Sequence, residues 1–88
     1  MKSIYMLDLR RRINQNLNKT IETFGAFKSI EDARQWVVLN GKARALDREM
    51  KSGFYCVTQF GFGEGRYLDS GAAVESFDFY GNKVSIFK

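Results

Sequence analysis

Few side chains in this sequence are suited to covalent chemistry. Its 88 residues include one cysteine, Cys56, and no histidine. Nucleophilic catalysis would fall to Cys56, but no imidazole is present to take its proton. Its neighbours Tyr55 and Val57 are strand formers, so the expectation is a buried thiol acting as a small hydrophobe. Zinc sites draw on Cys or His pairs at set spacing, and neither pair exists. Asp47-Arg48-Glu49-Met50-Lys51 holds an acid-x-Lys element of the kind some metal-dependent nucleases use, with Asp32 upstream. Those nucleases present it on a strand. Here it lies at helical spacing and reads as solvated charge, including an Asp47–Lys51 pair at i,i+4. No catalytic residue, metal or cofactor is expected.

Two further motifs fail on their details. Phe60-Gly61-Phe62-Gly63-Glu64-Gly65-Arg66 resembles a phosphate-binding loop. A dinucleotide fingerprint needs glycine where Arg66 stands, and a P-loop needs a following Gly-Lys-Ser/Thr. The glycines therefore read as a loop that breaks a strand. Gly53-Phe54-Tyr55-Cys56-Val57 resembles part of the Gly-aromatic strand of RNA-recognition domains. Tyr55, Cys56 and Gln59 all depart from that pattern. Only its chemistry carries over: aromatics exposed on a sheet can stack on unpaired bases.

The cations are the strongest functional signal. Residues 1–51 hold eleven Lys/Arg against six acids, while residues 52–88 hold three against four, together with nine of the thirteen aromatics. A basic first half thus joins an aromatic second half expected to supply most of the core. Arg10-Arg11-Arg12 groups three guanidinium ions, with Lys19 and Lys28 nearby in sequence. On a strand the three arginines would alternate faces. At 100° per residue, Arg44, Arg48 and Lys51 fall in one arc opposite Ala43, Leu46 and Met50, with Lys42 just before them. Such a stripe is spaced to follow a phosphate backbone. Net charge +4 and a pI near 9.4 favour anionic partners, with RNA or DNA ahead of an acidic protein face.

These residues must be positioned by one small domain spanning 1–88. Ser29 is placed to cap a helix over about residues 30–40, with Glu31 and Asp32 at its positive end and Asp32 in the capping-box position. Ile30, Ala33 and Val37 repeat at helical spacing, with Trp36 bordering the same face. Asn40-Gly41 supplies a stop through a left-handed glycine. A second helical stretch is expected over 42–51. From Phe54 the pattern becomes that of strands: 54–60, then 74–80 and 83–88 about a Gly81-Asn82 hairpin turn. The N-terminal stretch fits either an amphipathic helix along Leu9, Ile13, Leu17, Ile21 and Phe24 or a hairpin turning in the Asn-rich segment. Tyr5, Leu7 and Leu9 alternate, and Asn14, Asn16 and Asn18 are poor helix residues, so the hairpin is favoured. The architecture is then α+β, in the order β-β-α-β-β-β, with the helical segment packed on one face of an antiparallel sheet.

The size, basic charge and lack of proline resemble the small accessory proteins that bacteriophages make to neutralise host factors. Some of that group act on nucleases or toxins, some of them through RNA. The resemblance implies binding rather than turnover. The leading expectation is a non-enzymatic, RNA-preferring nucleic-acid-binding protein that inhibits a host nucleic-acid enzyme such as an endoribonuclease toxin. The alternatives are a protein-binding inhibitor or adaptor that docks through a basic face, and a small metal-dependent nuclease. A homodimer burying part of the Phe/Tyr surface is an open alternative to a monomer. No apolar run spans a bilayer, and Met1–Arg12 lacks the features of a signal peptide, so a cytoplasmic location is expected, the host cytoplasm if phage-encoded.

Overall fold

The computed structural model describes residues 3–15, 17–46, 53–63, 67–68 and 71–85. The N-terminal stretch is a hairpin. Strand β1 runs over Ser3–Asn14 and β2 over Leu17–Phe27, and Asn14 pairs with Leu17 to close it in the Asn-rich segment. Three register shifts bend this ribbon. One sets Phe24 and Gly25 together opposite Leu7, with Gly25 at φ 64, a backbone that side-chain-bearing residues rarely adopt. The others leave Ile21 and Ile13 as extra residues. Gly25 therefore serves a bulge in β2.

Helix α1 spans Ile30–Asn40 and starts as its residues dictate. The Asp32 amide donates to the Ser29 hydroxyl at 3.1 Å, and Glu31 and Asp32 occupy the first turn. Its other end corrects the sequence reading. Gly41 has φ −64 and passes the chain into a 3-10 helix over Gly41–Leu46. Glycine is needed here for close approach. A Cβ would meet the Phe79 carbonyl oxygen at 2.7 Å, Val37 Cγ1 at 2.9 Å and Tyr55 Cε2 at 3.1 Å. The expected second helix over 42–51 is replaced, in its described part, by this 3-10 segment. With about three residues per turn, the 100° arc does not apply, and Ala43 is exposed rather than inward.

Strand β3, Gly53–Gly63, pairs antiparallel with β1 from Ser3↔Gly61 to Arg11↔Gly53. Strand β4, Tyr67–Leu68, pairs with the distal end of β3, and β5, Ala72–Phe77, pairs with its first half. Gly61 and Gly63 are thus strand residues and do not break β3. The C-terminal turn is also wider than expected. The Asp78 carboxylate accepts the amides of Tyr80 at 2.8 Å and Asn82 at 2.9 Å, so β5 stops at Phe77 rather than Tyr80. A single bridge, Phe77↔Lys83, follows in place of a two-residue hairpin, and residues 86–88 lie outside the described residues. Gly81, at φ 87, docks this turn on α1, its carbonyl accepting Arg34 Nε at 2.9 Å.

One helix therefore packs on one face of an antiparallel sheet. The core joins Leu7 and Leu9 of β1, Ala33 and Val37 of α1, Tyr55 and Val57 of β3, and Phe77 of β5. Each large apolar side chain buried this way contributes about 1.5–3 kcal/mol. Among the described residues, residues 52–88 supply five of the nine buried hydrophobic side chains, Phe54, Tyr55, Cys56, Val57 and Phe77, and the first half the other four. Phe24 stacks on Trp36 with ring centroids 4.5 Å apart, which joins β2 to the helix. No helix among the described residues is long and apolar enough to cross a membrane.

Candidate nucleic-acid interface

Sheet pairing turns the end of the β1–β2 hairpin into an arm. The β1–β3 register ends at Arg11↔Gly53, so Arg12–Asn14 pair with β2 alone. Beyond that point the ribbon pairs with no further strand among the described residues, and residues 12–15 and 17–23 are exposed. From Arg10 to Ile21 the chain carries four cations and no acid.

Register decides how those cations are arranged. Arg11 lies directly opposite Lys19, both on the helix side of the sheet with Leu7 and Leu9. Arg10 lies opposite Thr20 and Arg12 opposite Asn18, on the other side. The three arginines alternate faces, as a strand requires, and each side of the ribbon is basic. Like charges directly across a strand pair are unfavourable by a few tenths of a kcal/mol or more. A bound anion between Arg11 and Lys19 would relieve that repulsion.

Arg10 differs from its neighbours. Its Nη2 sits 3.1 Å from Asp8 Oδ2, and its Nη1 donates to Asn18 Oδ1 at 3.4 Å. Asp8, nearly buried, also accepts the Thr23 hydroxyl at 3.0 Å. This network ties β1 to β2 where the arm leaves the sheet. Arg10 therefore braces the arm's root, with the Arg11–Lys19 pair at that root and Arg12 beyond it.

The remaining cations fall elsewhere. Lys28 is exposed just past the opposite end of β2, nine positions and about 30 Å along the strand from Lys19. Lys42 is exposed and follows Gly41, which packs on Tyr55, the strand partner of Leu9. Lys42 thus stands at the level of the arm's root on the helix side. Arg48 and Lys51, the Arg44 side chain, and Asp47 and Glu49 of the acid-x-Lys element lie outside the described residues.

Cys56 is fully buried, as expected of a core thiol, but its surroundings are polar. It lies opposite Asp8 on one side and Ser76 on the other, on the sheet face away from the helix. Burial pushes its thiol pKa up and the Asp8 charge adds to this, while Arg10, Thr58 and Ser76 pull less strongly the other way. That environment suits a neutral thiol better than a nucleophilic thiolate.

Two features of the arm were missed from the sequence. Ile13, Leu17 and Ile21, which would have been the apolar stripe of a helix, stand 51%, 53% and 43% exposed. Asn18 and Thr20 join the cationic ribbon. The acid-free run from Arg10 to Ile21 was the signal that could have found them. The expected platform of exposed sheet aromatics is not found among the described residues. Tyr55, Phe54 and Phe77 are buried, and the strongly exposed Tyr80 lies in the turn after β5. Comparisons with protein-family models, curated proteins and solved structures find no match.

Proposed function

We propose that this protein binds nucleic acid without catalysing a reaction, using the β1–β2 arm to engage the phosphate backbone. The observation that carries this reading is the acid-free arm, with the Arg11–Lys19 pair at the end of the three-stranded part of the sheet and Arg12 past it. Each phosphate neutralised by such a cation releases condensed counterions, and that release supplies the affinity. Side-chain amides at Asn14, Gln15 and Asn18 are near enough along the ribbon to reach base edges. Unpaired bases of RNA present their hydrogen-bonding edges to such groups, which favours RNA. By its resemblance to phage accessory proteins, the complex would serve to inhibit a host nucleic-acid enzyme such as an endoribonuclease toxin.

A gel-shift series with RNA and DNA at two salt concentrations tests this. The double reversal Arg11→Glu/Arg12→Glu should leave the far-UV spectrum unchanged, because Arg12 is exposed and Arg11 half-buried, and charges that water reaches contribute no more than about 1 kcal/mol each. It should weaken RNA binding and make the salt slope shallower by about one unit for each phosphate no longer neutralised. Lys28→Glu, at the far end of β2, should leave the slope unchanged. A folded double variant with wild-type affinity and slope would refute the arm as the interface. Wild-type protein that binds neither RNA nor DNA would redirect the arm to an acidic protein partner.

A further inference from the structure

The outer side of β2 is a sheet edge eleven residues long that pairs with no strand among the described residues. Edges of this kind recruit other strands unless something limits them. Here the Phe24-Gly25 bulge limits it at one end and the hairpin turn at the other. Eight residues, 17–24, remain between them. They carry one cation, Lys19, and one anion, Glu22, together with exposed Leu17 and Ile21.

The bulge at Ile21 shifts the alternation of β2 by one residue. Lys19 pairs with Arg11 and Glu22 with Leu9, so both project to the helix side despite their odd spacing. Leu17 and Phe24 fall on that side too, and Asn18 and Thr23 on the other. This pattern is self-complementary. We infer that two copies of the chain associate through their β2 edges, antiparallel, about a two-fold axis between Thr20 and Ile21. Lys19 of each copy then faces the partner's Glu22, giving two equivalent ion pairs. Leu17 covers the partner's Phe24, and Asn18 meets the partner's Thr23. The axis stands perpendicular to the sheet, so the strands form one continuous sheet with both helices on the same side.

Registers shifted further along the edge are disfavoured by the same charges. Centring the axis on residue 19 sets lysine against lysine, and centring it on residue 22 sets glutamate against glutamate. Backbone hydrogen bonds along the edge supply the attraction, while the alternation of faces and these charges together favour the proposed register. This dimer does not depend on the nucleic-acid reading and is measured without nucleic acid.

Sedimentation equilibrium on the full chain tests it, with circular dichroism confirming that each variant is folded. Wild type should show the mass of a dimer. Lys19→Glu and Glu22→Lys should each raise the dissociation constant roughly tenfold or more, since each sets like charges face to face at two places. The double variant Lys19→Glu/Glu22→Lys should recover the dimer. An equimolar mixture of the two single variants should form a heterodimer, because each supplies the charges the other lacks. Wild type that stays monomeric at its highest soluble concentration overturns the inference. Folded single variants that associate as wild type does, or a mixture that stays monomeric, overturn it as well.

Discussion

Gly41→Ala tests the packing that holds the helix to the sheet, because two opposing effects can be weighed from the geometry. Gly41 has φ −64, where alanine is intrinsically better than glycine by about 0.5–1 kcal/mol. Local propensity alone therefore makes the substitution stabilising. Packing argues the reverse. The new methyl group would lie 2.7 Å from the Phe79 carbonyl oxygen and 2.9 Å from Val37 Cγ1, and Val37 is fully buried. Backbone on one side and core on the other leave it little room, and overpacking of this kind costs about 1–3 kcal/mol. Tyr55 Cε2, at 3.1 Å, would also be pushed, straining the bond from the Tyr55 hydroxyl to the Gly41 carbonyl at 3.2 Å, worth about 0.5–1.5 kcal/mol. The net expectation is destabilisation by about 1–3 kcal/mol, which lowers Tm by roughly 5–20 °C in a domain of this size. Gly25→Ala is the control. Nothing lies within 4 Å of its added Cβ, so only the positive φ is penalised, by about 1–2 kcal/mol. Urea titration and thermal unfolding by circular dichroism measure both. A Gly41→Ala protein as stable as wild type, or more so, would refute the close packing of Phe79, Val37 and Tyr55 around this residue.

Cys56 should resist alkylation in the native protein and react on denaturation, and Cys56→Ala should cost about 1 kcal/mol without changing binding; rapid native labelling would contradict its burial. Burial pushes the Asp78 carboxyl upward, but the backbone amides of Asn82 and Tyr80 and the Asn82 side chain outweigh it and hold the pKa below the usual aspartate value. Its contribution to stability is therefore present above the unfolded-state pKa and lost as pH falls through the folded-state value, in a window below about pH 4. Asp78→Asn should narrow the loss of Tm on acidification, and a variant whose acid loss matches that of wild type would refute this contribution.

The residues of the arm were legible as a group before their arrangement was. An acid-free run with three consecutive arginines and a break at Asn14-Gln15-Asn16 can be read directly, and strand alternation follows once the hairpin is granted. Register could not be read. Two bulges on β2 and one on β1 decide that Arg11 faces Lys19 and that Lys19 shares a side with Glu22. A one-residue shift of this kind moves every later side chain to the other face, and no local preference specifies it.

The same division runs through the whole molecule. Helix α1 and its Ser29 cap were determined by the sequence itself, because the cap bond reaches only three residues along the chain and the apolar spacing repeats within it. The change from helical to strand periodicity near Phe54 was equally local. Only tertiary structure decided that Arg10 bonds to Asn18, and that Gly41 serves close packing rather than a left-handed stop. It also decided the docking of Gly81 on α1, which together with the Asp78 turn replaces the two-residue hairpin. The Arg10–Asn18 bond, the packing around Gly41 and the docking of Gly81 depend on a partner distant in sequence or on the space left by packed neighbours. The Arg10–Asp8 bond and those of Asp78 span only two to four residues and were local. Residue type and spacing report what a segment prefers in isolation. They do not report which distant atoms will stand beside it once the helix closes on the sheet.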